Sequence, residues 1–145
     1  MFIRQDEIRP DDRYYWVTAN ENGSFSKTPK LLEDREEVDK DGNPMYVQVL
    51  GVVDGEPAMV DSTERLVTKG LKSNFIAQIK QTAGSILSQT DWMVIRKAER
   101  NVSIPSSVAT YRAAVVAKAD ELEAAISAVT SVEELIALNL SFLTE

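Results

Sequence analysis

The sequence contains neither cysteine nor histidine among its 145 residues. Without cysteine, disulfides, thiolate metal sites and cysteine nucleophiles are excluded. Without histidine, the chain lacks the side chain used most often as a general base and as a metal ligand, and a hydrolytic triad of the usual kind cannot be built. We therefore expect no catalytic residues, no metal and no cofactor. A small enzyme of unknown type is the least favoured alternative.

Basic residues are also scarce, with 16 lysines and arginines against 23 aspartates and glutamates and a net charge of −7. Binding to nucleic-acid phosphates requires clustered lysine and arginine, but no basic run is longer than Arg96-Lys97. No apolar run approaches the roughly 18 residues of a membrane span, and residues 1–7 lack the apolar region of a signal peptide. We expect no binding to nucleic acid or membrane, and a cytosolic protein or one in a particle assembled there.

Residues 1–61 are predicted to form a small β-rich module. The segment Tyr14–Thr18 is rich in aromatic and β-branched residues, which favour strands. The turn-forming residues 20–23 follow, and residues 24–26 can return as a partner strand. The aromatic cluster Tyr14–Trp16 is expected to lie in the core or on a sheet face rather than to stack on bases or sugars.

A second hairpin is predicted from Met45–Val53, an apolar run typical of a strand. Asp54 and Gly55 then form a favoured type I′ turn pair, and residues 56–60 complete the hairpin. The charged segment 31–44 is predicted to be a solvated loop or a strand connection.

That charged segment resembles a calcium-binding loop only in part. Glu37, Asp39 and Asp41 can be aligned with the first, third and fifth ligand positions. The twelfth position, which requires a bidentate glutamate, falls on Gln48. We therefore predict a charged turn and no metal site.

Residues 62–145 are predicted to be helical. A first helix is expected over 62–89, capped by Asp61 together with Glu64. Strands followed by helices indicate an α+β fold. The apolar positions of the first helix recur at three- and four-residue steps, namely Leu71, Phe75, Ile79, Ala83 and Ile86.

The clearest helix is predicted over 105–129, with Pro105 in its first turn. Ser131 and Glu134 form a capping box that opens a last helix through about Leu140. The apolar stripe of the long helix is nearly heptad, so it is either internal core or a face for self-association or for binding a client. Its members are Val108, Tyr111, Val115, Ala119, Leu122, Ile126 and Val129.

Residues 76–116 resemble the C-terminal helical region of phage tail assembly chaperones and tail-fibre assembly proteins. The shared pattern is an apolar helix end, a Thr-Asp-Trp corner, a short spacer, a proline, and a helix that opens with Tyr-Arg. In this chain the pattern reads ILSQTDW at 86–92, IRKAE at 95–99, Ile104-Pro105, and YRAAV at 111–115. The resemblance covers only this part of the chain.

The resemblance implies a helical hairpin that acts by protein–protein binding, without catalysis. We expect Thr90 or Asp91 to cap the corner, and Arg112 to pair with a carboxylate such as Asp91. Trp92 is expected to anchor the corner in the core, with a hot spot on a partner surface as the alternative. The expected partner-binding residues are Trp92, Ile95, Tyr111, Arg112, Val115, Leu122 and Ile126.

The implied partner is a tail-fibre protein or another tail or baseplate protein, met in the host cytoplasm during assembly. Self-association through helix 105–129 is a further expectation. A β-rich module fused to a helical hairpin equally suits a structural component kept in the virion tail, at a baseplate or fibre attachment.

Overall fold

A computed structural model of the protein describes residues 8–142. Strands occupy the N-terminal half and helices the C-terminal half, so the predicted α+β class is confirmed. The expectation about a signal peptide concerns residues 1–7, which lie outside the described range. The strands are β1 (Tyr15–Ala19), β2 (Phe25–Pro29), β3 (Arg35–Glu36), β4 (Tyr46–Val53), β5 (Glu56–Arg65) and β6 (Val67–Thr68). The helices are α1 (Leu71–Ser88), α2 (Asp91–Arg100), α3 (Ser106–Ala128) and α4 (Val132–Ala137).

Both predicted hairpins are present. β1 and β2 pair antiparallel, with Trp16 opposite Thr28. β4 and β5 pair antiparallel on either side of Asp54 and Gly55, which have φ values of 51° and 79°. Positive φ at both central residues is the geometry of a type I′ turn, whose twist matches that of the flanking strands.

The predicted start of the first helix at residue 62 is wrong. β5 continues to Arg65 because its backbone pairs with β4, and the change from strands to helices falls after Thr68. Asp61 accepts a hydrogen bond from the side chain of Gln48 across the hairpin, so it does not cap a helix. The first residue of the predicted apolar stripe, Leu71, is also the first residue of α1. The predicted end of the helix near residue 89 is confirmed.

The N-terminus of α1 is capped by a segment distant in sequence. The N–H groups of Leu71 and Lys72 donate to the carbonyl oxygens of Leu31 and Leu32, at 2.8 and 3.1 Å. Helix N-termini leave such groups without intrahelical partners, so this contact satisfies them. The approach is close enough that a Cβ at Gly70 would lie 2.4 Å from the Leu32 oxygen.

Asp34 completes this cap from the same segment. Its Oδ1 accepts from the Gly70 N–H at 2.9 Å and from the Ser73 hydroxyl at 2.6 Å, and its Oδ2 lies 3.4 Å from Lys69 Nζ. Arg35–Glu36 then pairs with β6. The segment 31–44 connects the two hairpins and is mostly exposed, in line with the predicted solvated loop or strand connection, but its first six residues are held in place because they dock on α1 and β6.

The hydrophobic core lies between α1, α3, α4 and β1. α1 packs along α3, and α4 closes one side of the pair with Val132 and Leu135. Tyr15 brings β1 onto this core, and its hydroxyl donates to Glu133 at 3.2 Å. Each fully buried aliphatic side chain contributes about 1.5–3 kcal/mol of transfer free energy. The buried hydrophobic residues are Tyr15, Leu71, Ile79, Ala83, Val115, Ala119, Leu122, Ile126, Val129, Val132 and Leu135.

The capping box predicted before the last helix is present in a modified form. The Ser131 hydroxyl accepts from the Glu134 N–H at 3.1 Å, while the Glu134 carboxylate accepts from the N–H of Thr130 at 2.9 Å. The carboxylate thus reaches one residue further back than in the standard box. The helix ends at Ala137, three residues before the predicted end.

Candidate partner-binding surface

The corner between α1 and α2 is held by a side chain from α3. Arg112 Nη1 donates to the carbonyl of Leu87 at 2.8 Å and to the hydroxyl of Thr90 at 2.7 Å. Arg112 Nη2 donates to Asp91 Oδ1 at 2.8 Å. The planar guanidinium, with several donors in fixed directions, suits this arrangement of three acceptors. The predicted pairing of Arg112 with Asp91 is confirmed.

The N-cap position of α2 is Thr90, but its side chain makes no capping hydrogen bond to the helix. Its hydroxyl instead accepts from Arg112 and contacts the carbonyl of Leu87. The corner is therefore fixed mainly by the arginine rather than by the side-chain cap that the sequence predicts.

The prediction that Trp92 anchors the core is wrong. Its side chain is 52% exposed. The Arg96 guanidinium lies 4.8 Å from the centre of its ring, which is a cation–π contact. The reason is the orientation of α2, which extends from the corner with none of its residues fully buried. Trp92 thus lies on the surface at the start of a helix that contributes little to the core.

Ile95 follows Trp92 by three residues, so the two side chains lie on one face of α2. Ile95 is 56% exposed, and Tyr111, which precedes the anchoring arginine on α3, is 41% exposed. We call Trp92 and Ile95, which share one face of α2, the corner surface. Large apolar side chains that remain exposed on a folded domain are candidates for partner contact.

The remaining predicted binding residues are internal. Val115, Leu122 and Ile126 are 2%, 3% and 0% exposed, because the stripe of α3 packs against α1 and α4. Of the two interpretations of this stripe, internal core is the one the structure supports. Because these three side chains are buried, the prediction that they contact a partner directly is wrong. The same holds for self-association through their face of the helix.

Two further surfaces were not predicted as sites. The first is the β4–β5 hairpin, whose apolar side chains are largely exposed: Val49, Leu50, Val52, Val53 and Met59. A sequence signal existed, because residues 49–53 do not alternate between apolar and polar. Continuous apolar runs are typical of strands covered on both faces, yet this hairpin has no such cover within the described residues.

The second unpredicted surface is a groove of about 600 Å³ between β1 and the start of α1. Trp16, at one wall, is 54% exposed, so of the two predicted places, the core and a sheet face, it takes the sheet face, whereas Tyr15 takes the core. Among the described residues that line the groove there is no carboxylate. Its charged members are all cationic: Arg13, Lys30, Arg35 and Lys69.

The titratable groups with shifted pKa values have structural explanations. Hydrogen bonds from Ser73 and Gly70 hold the pKa of Asp34 below its ordinary value, and backbone N–H groups act likewise on Asp39 and Glu134. Burial raises the pKa of Tyr15, as does its hydrogen bond to Glu133. The carboxylates of Asp34 and Glu134 accept hydrogen bonds at helix N-termini, and the carboxylate of Asp39 accepts them in a turn. Within residues 8–142, no group of acidic side chains is arranged to hold a metal ion.

No helix in the described part of the chain has the length and apolar character needed to cross a membrane. Comparison of the chain with protein-family models, with curated proteins and with solved structures gave no match.

Proposed function

We propose that this chain is a non-catalytic protein that assists the assembly of a phage tail or tail fibre by binding one of its components. The expected partner is a tail-fibre protein or another tail or baseplate protein, met in the host cytoplasm. The observation that carries the proposal is the exposure of Trp92 and Ile95 on a helix that buries no side chain.

The resemblance of residues 76–116 supports the phage context of this proposal. Its segments meet at one corner, where Arg112 of α3 bonds to Thr90, the N-cap residue of α2, and to Asp91, the first residue of α2. A rigid corner of this kind presents an aromatic and an aliphatic side chain without further ordering. Pre-organisation of this kind lowers the entropic cost of binding, and tryptophan and tyrosine are enriched at binding hot spots.

Co-expression with the tail-fibre protein of the same phage tests the proposal. The double variant Trp92→Ala/Ile95→Ala should lower both the yield of soluble fibre and the co-purification of the chain with it. Ile136→Ala is the matched control, because Ile136 is an exposed aliphatic residue on α4, at 44%. Fibre that is equally soluble with and without the chain would remove the assembly role.

The stability of the variants must be measured beside binding. Trp92 is half-exposed and its defined contact is with Arg96, so Trp92→Ala should cost only about 1 kcal/mol in the free energy of unfolding. Loss of fibre binding with a nearly unchanged melting temperature is therefore the expected result. A loss of several kcal/mol would assign Trp92 a structural role instead.

The second candidate function is that of a structural component of the virion tail. The observation that favours it is the second exposed element, the β4–β5 hairpin, which would give the protein a separate attachment point. Mass spectrometry of purified virions distinguishes the two roles. A stoichiometric copy number supports the structural role, and absence from the particle supports the assembly factor.

A further inference from the structure

The β4–β5 hairpin, residues 46–65, forms an arm that lacks a partner. In the described part of the chain, its two strands pack substantially only on each other. A two-stranded hairpin alone in water is at best marginally stable, and independent stability needs a third strand or a packing layer. We therefore expect another molecule to supply the missing packing layer of the arm.

Both faces of the arm are apolar. Leu50 lies opposite Met59, and the two are 75% and 60% exposed. Val52, opposite Pro57 on the same face, is 72% exposed. Contiguous apolar side chains at this level of exposure are typical of an interaction surface rather than of scattered surface residues.

The charge of the arm limits what can cover it. Within the arm the one cation is Arg65 at its root, which pairs with Glu36, and four carboxylates are present: Asp54, Glu56, Asp61 and Glu64. Packing two arms against each other would bring both sets of carboxylates together in a partly desolvated contact, which like-charge repulsion disfavours. A suitable acceptor offers apolar contact together with positive charge.

The groove beside β1 has that chemistry. Four cationic side chains and no carboxylate line its described part, and Trp16 supplies an exposed aromatic wall. Leu31, 39% exposed, adds an aliphatic side chain to the lining. Three of the cations also form ion pairs with flanking carboxylates, whereas Lys30 makes no ion pair within residues 8–142. Lys30 is thus the cation most available to an incoming carboxylate.

The groove of the same chain is a poor acceptor for its own arm. β5 ends at Arg65, and Thr68 and Lys69 already line the groove, so the root of the arm lies beside it. β4 has eight residues, which at the rise of an extended strand places the tip roughly 25 Å from that root. A straight arm therefore points its tip away from its own groove.

We propose that the β4–β5 arm of one copy docks in the basic groove beside β1 of a second copy. Leu50 and Val52 contact the wall formed by Trp16, and Glu56 at the tip pairs with Lys30. The two patches are different parts of one chain, so the contact is heterologous. Reciprocal exchange, in which each groove holds the other copy's arm, would lay the two acidic arms along each other because each groove lies beside the root of its own arm, and like-charge repulsion disfavours this. Each complex therefore retains a free arm and a free groove. Such contacts form rings or open filaments rather than closed dimers. This assembly uses neither the corner surface nor the core face of α3.

Sedimentation velocity and light scattering of the full chain over increasing concentration test the proposal. We expect the average mass to rise beyond that of a dimer, and to fall when salt screens the charge pairs. The arm variant Leu50→Thr/Met59→Thr and the groove variant Trp16→Thr should each be monomeric; threonine retains strand propensity. Val116→Ala, at an exposed site on α3, should assemble like the unmodified chain.

Mixing the two defective variants gives the sharpest result. An arm-defective copy still offers its groove and a groove-defective copy still offers its arm, so the mixture should form a dimer and grow no further. A chain that stays monomeric at every concentration would overturn the proposal. So would a dimer that forms without further growth and is unaffected by Trp16→Thr, since that result indicates a symmetric contact elsewhere.

Charge reversal tests the pairing at the tip and guards against misfolding. Glu56→Lys and Lys30→Glu should each abolish assembly, and the chain carrying both changes should recover it. Both side chains lie outside the hydrophobic core, so circular dichroism should report unchanged secondary structure and melting. Failure of the doubly reversed chain to assemble, although each single reversal dissociates the complex, would overturn the assignment of this pair.

Discussion

Replacing Arg112 by methionine should destabilise the protein, although the side chain is not in the hydrophobic core. Arg112 is 20% exposed, and it bonds the Leu87 carbonyl, the Thr90 hydroxyl and Asp91 at 2.7–2.8 Å. Methionine retains the aliphatic volume and removes all three hydrogen bonds. The Arg112→Met variant therefore isolates the contribution of the guanidinium to the corner.

The magnitude follows from the exposure of each acceptor. Asp91 is 53% exposed, so its ion pair with Arg112 is worth at most about 1 kcal/mol. The bonds to Leu87 and Thr90 are charge-assisted and partly buried, and because both come from Nη1 we count them together as one contribution of about 1.5–3 kcal/mol. We expect a total loss of about 2–3 kcal/mol, which for a domain of this size lowers the melting temperature by roughly 5–10 °C.

Urea unfolding and thermal melting followed by far-UV circular dichroism measure this loss. Asp91→Asn should cost less than half as much as Arg112→Met, because it leaves the bonds to the carbonyl and the hydroxyl in place. Arg100→Met is the matched control, since Arg100 is exposed and forms no ion pair within the described residues. A free energy of unfolding for Arg112→Met within about 0.5 kcal/mol of the unmodified protein, or an equal loss for Asp91→Asn, would refute the role assigned to the guanidinium.

Three other predictions concern the core and the cap of α1. Ile126→Ala, at a fully buried site, should cost about 3–4 kcal/mol in urea unfolding, whereas the exposed Ile136→Ala should cost under about 1 kcal/mol; equal losses would contradict the assigned core. Gly70→Ala should lower stability by about 3 kcal/mol because its Cβ meets fixed backbone oxygens, while Gly84→Ala, in open space on the same helix, should raise it by about 1 kcal/mol. The fold lowers the pKa of Asp34 from its ordinary 3.8, so its contribution is complete above about pH 4 and is lost as the pH falls through the lowered value. The difference in melting temperature between the unmodified chain and Asp34→Asn should therefore shrink in acid, and a constant difference would contradict this assignment.

Local sequence determined most of the secondary structure. The Asp54-Gly55 turn specified the second hairpin because few residue pairs accept positive φ at both positions. The periodic apolar stripe of α3 specified a long helix, and the Ser131–Glu134 pair marked the start of α4. Each of these signals acts through residues that are close in the chain, so they can be seen without the fold. The pairing of Arg112 with Asp91 was predicted from the pattern that residues 76–116 share with the tail assembly proteins.

Tertiary structure decided the features that depend on distant partners. Asp61 and Glu64 match a helix cap in sequence, but pairing with β4 kept them in a strand. Asp34 caps α1 from more than thirty positions away, which no local pattern reveals.

Exposure was decided in the same way, because an apolar residue has the same sequence signature in a core and at a surface. Ile126 packs between helices, whereas Trp92 lies on α2, which has no fully buried residue. Sequence periodicity therefore specified which residues share a face. The arrangement of the helices and of the β4–β5 arm decided which faces remain open to a partner, because burial depends on elements that are distant in the chain.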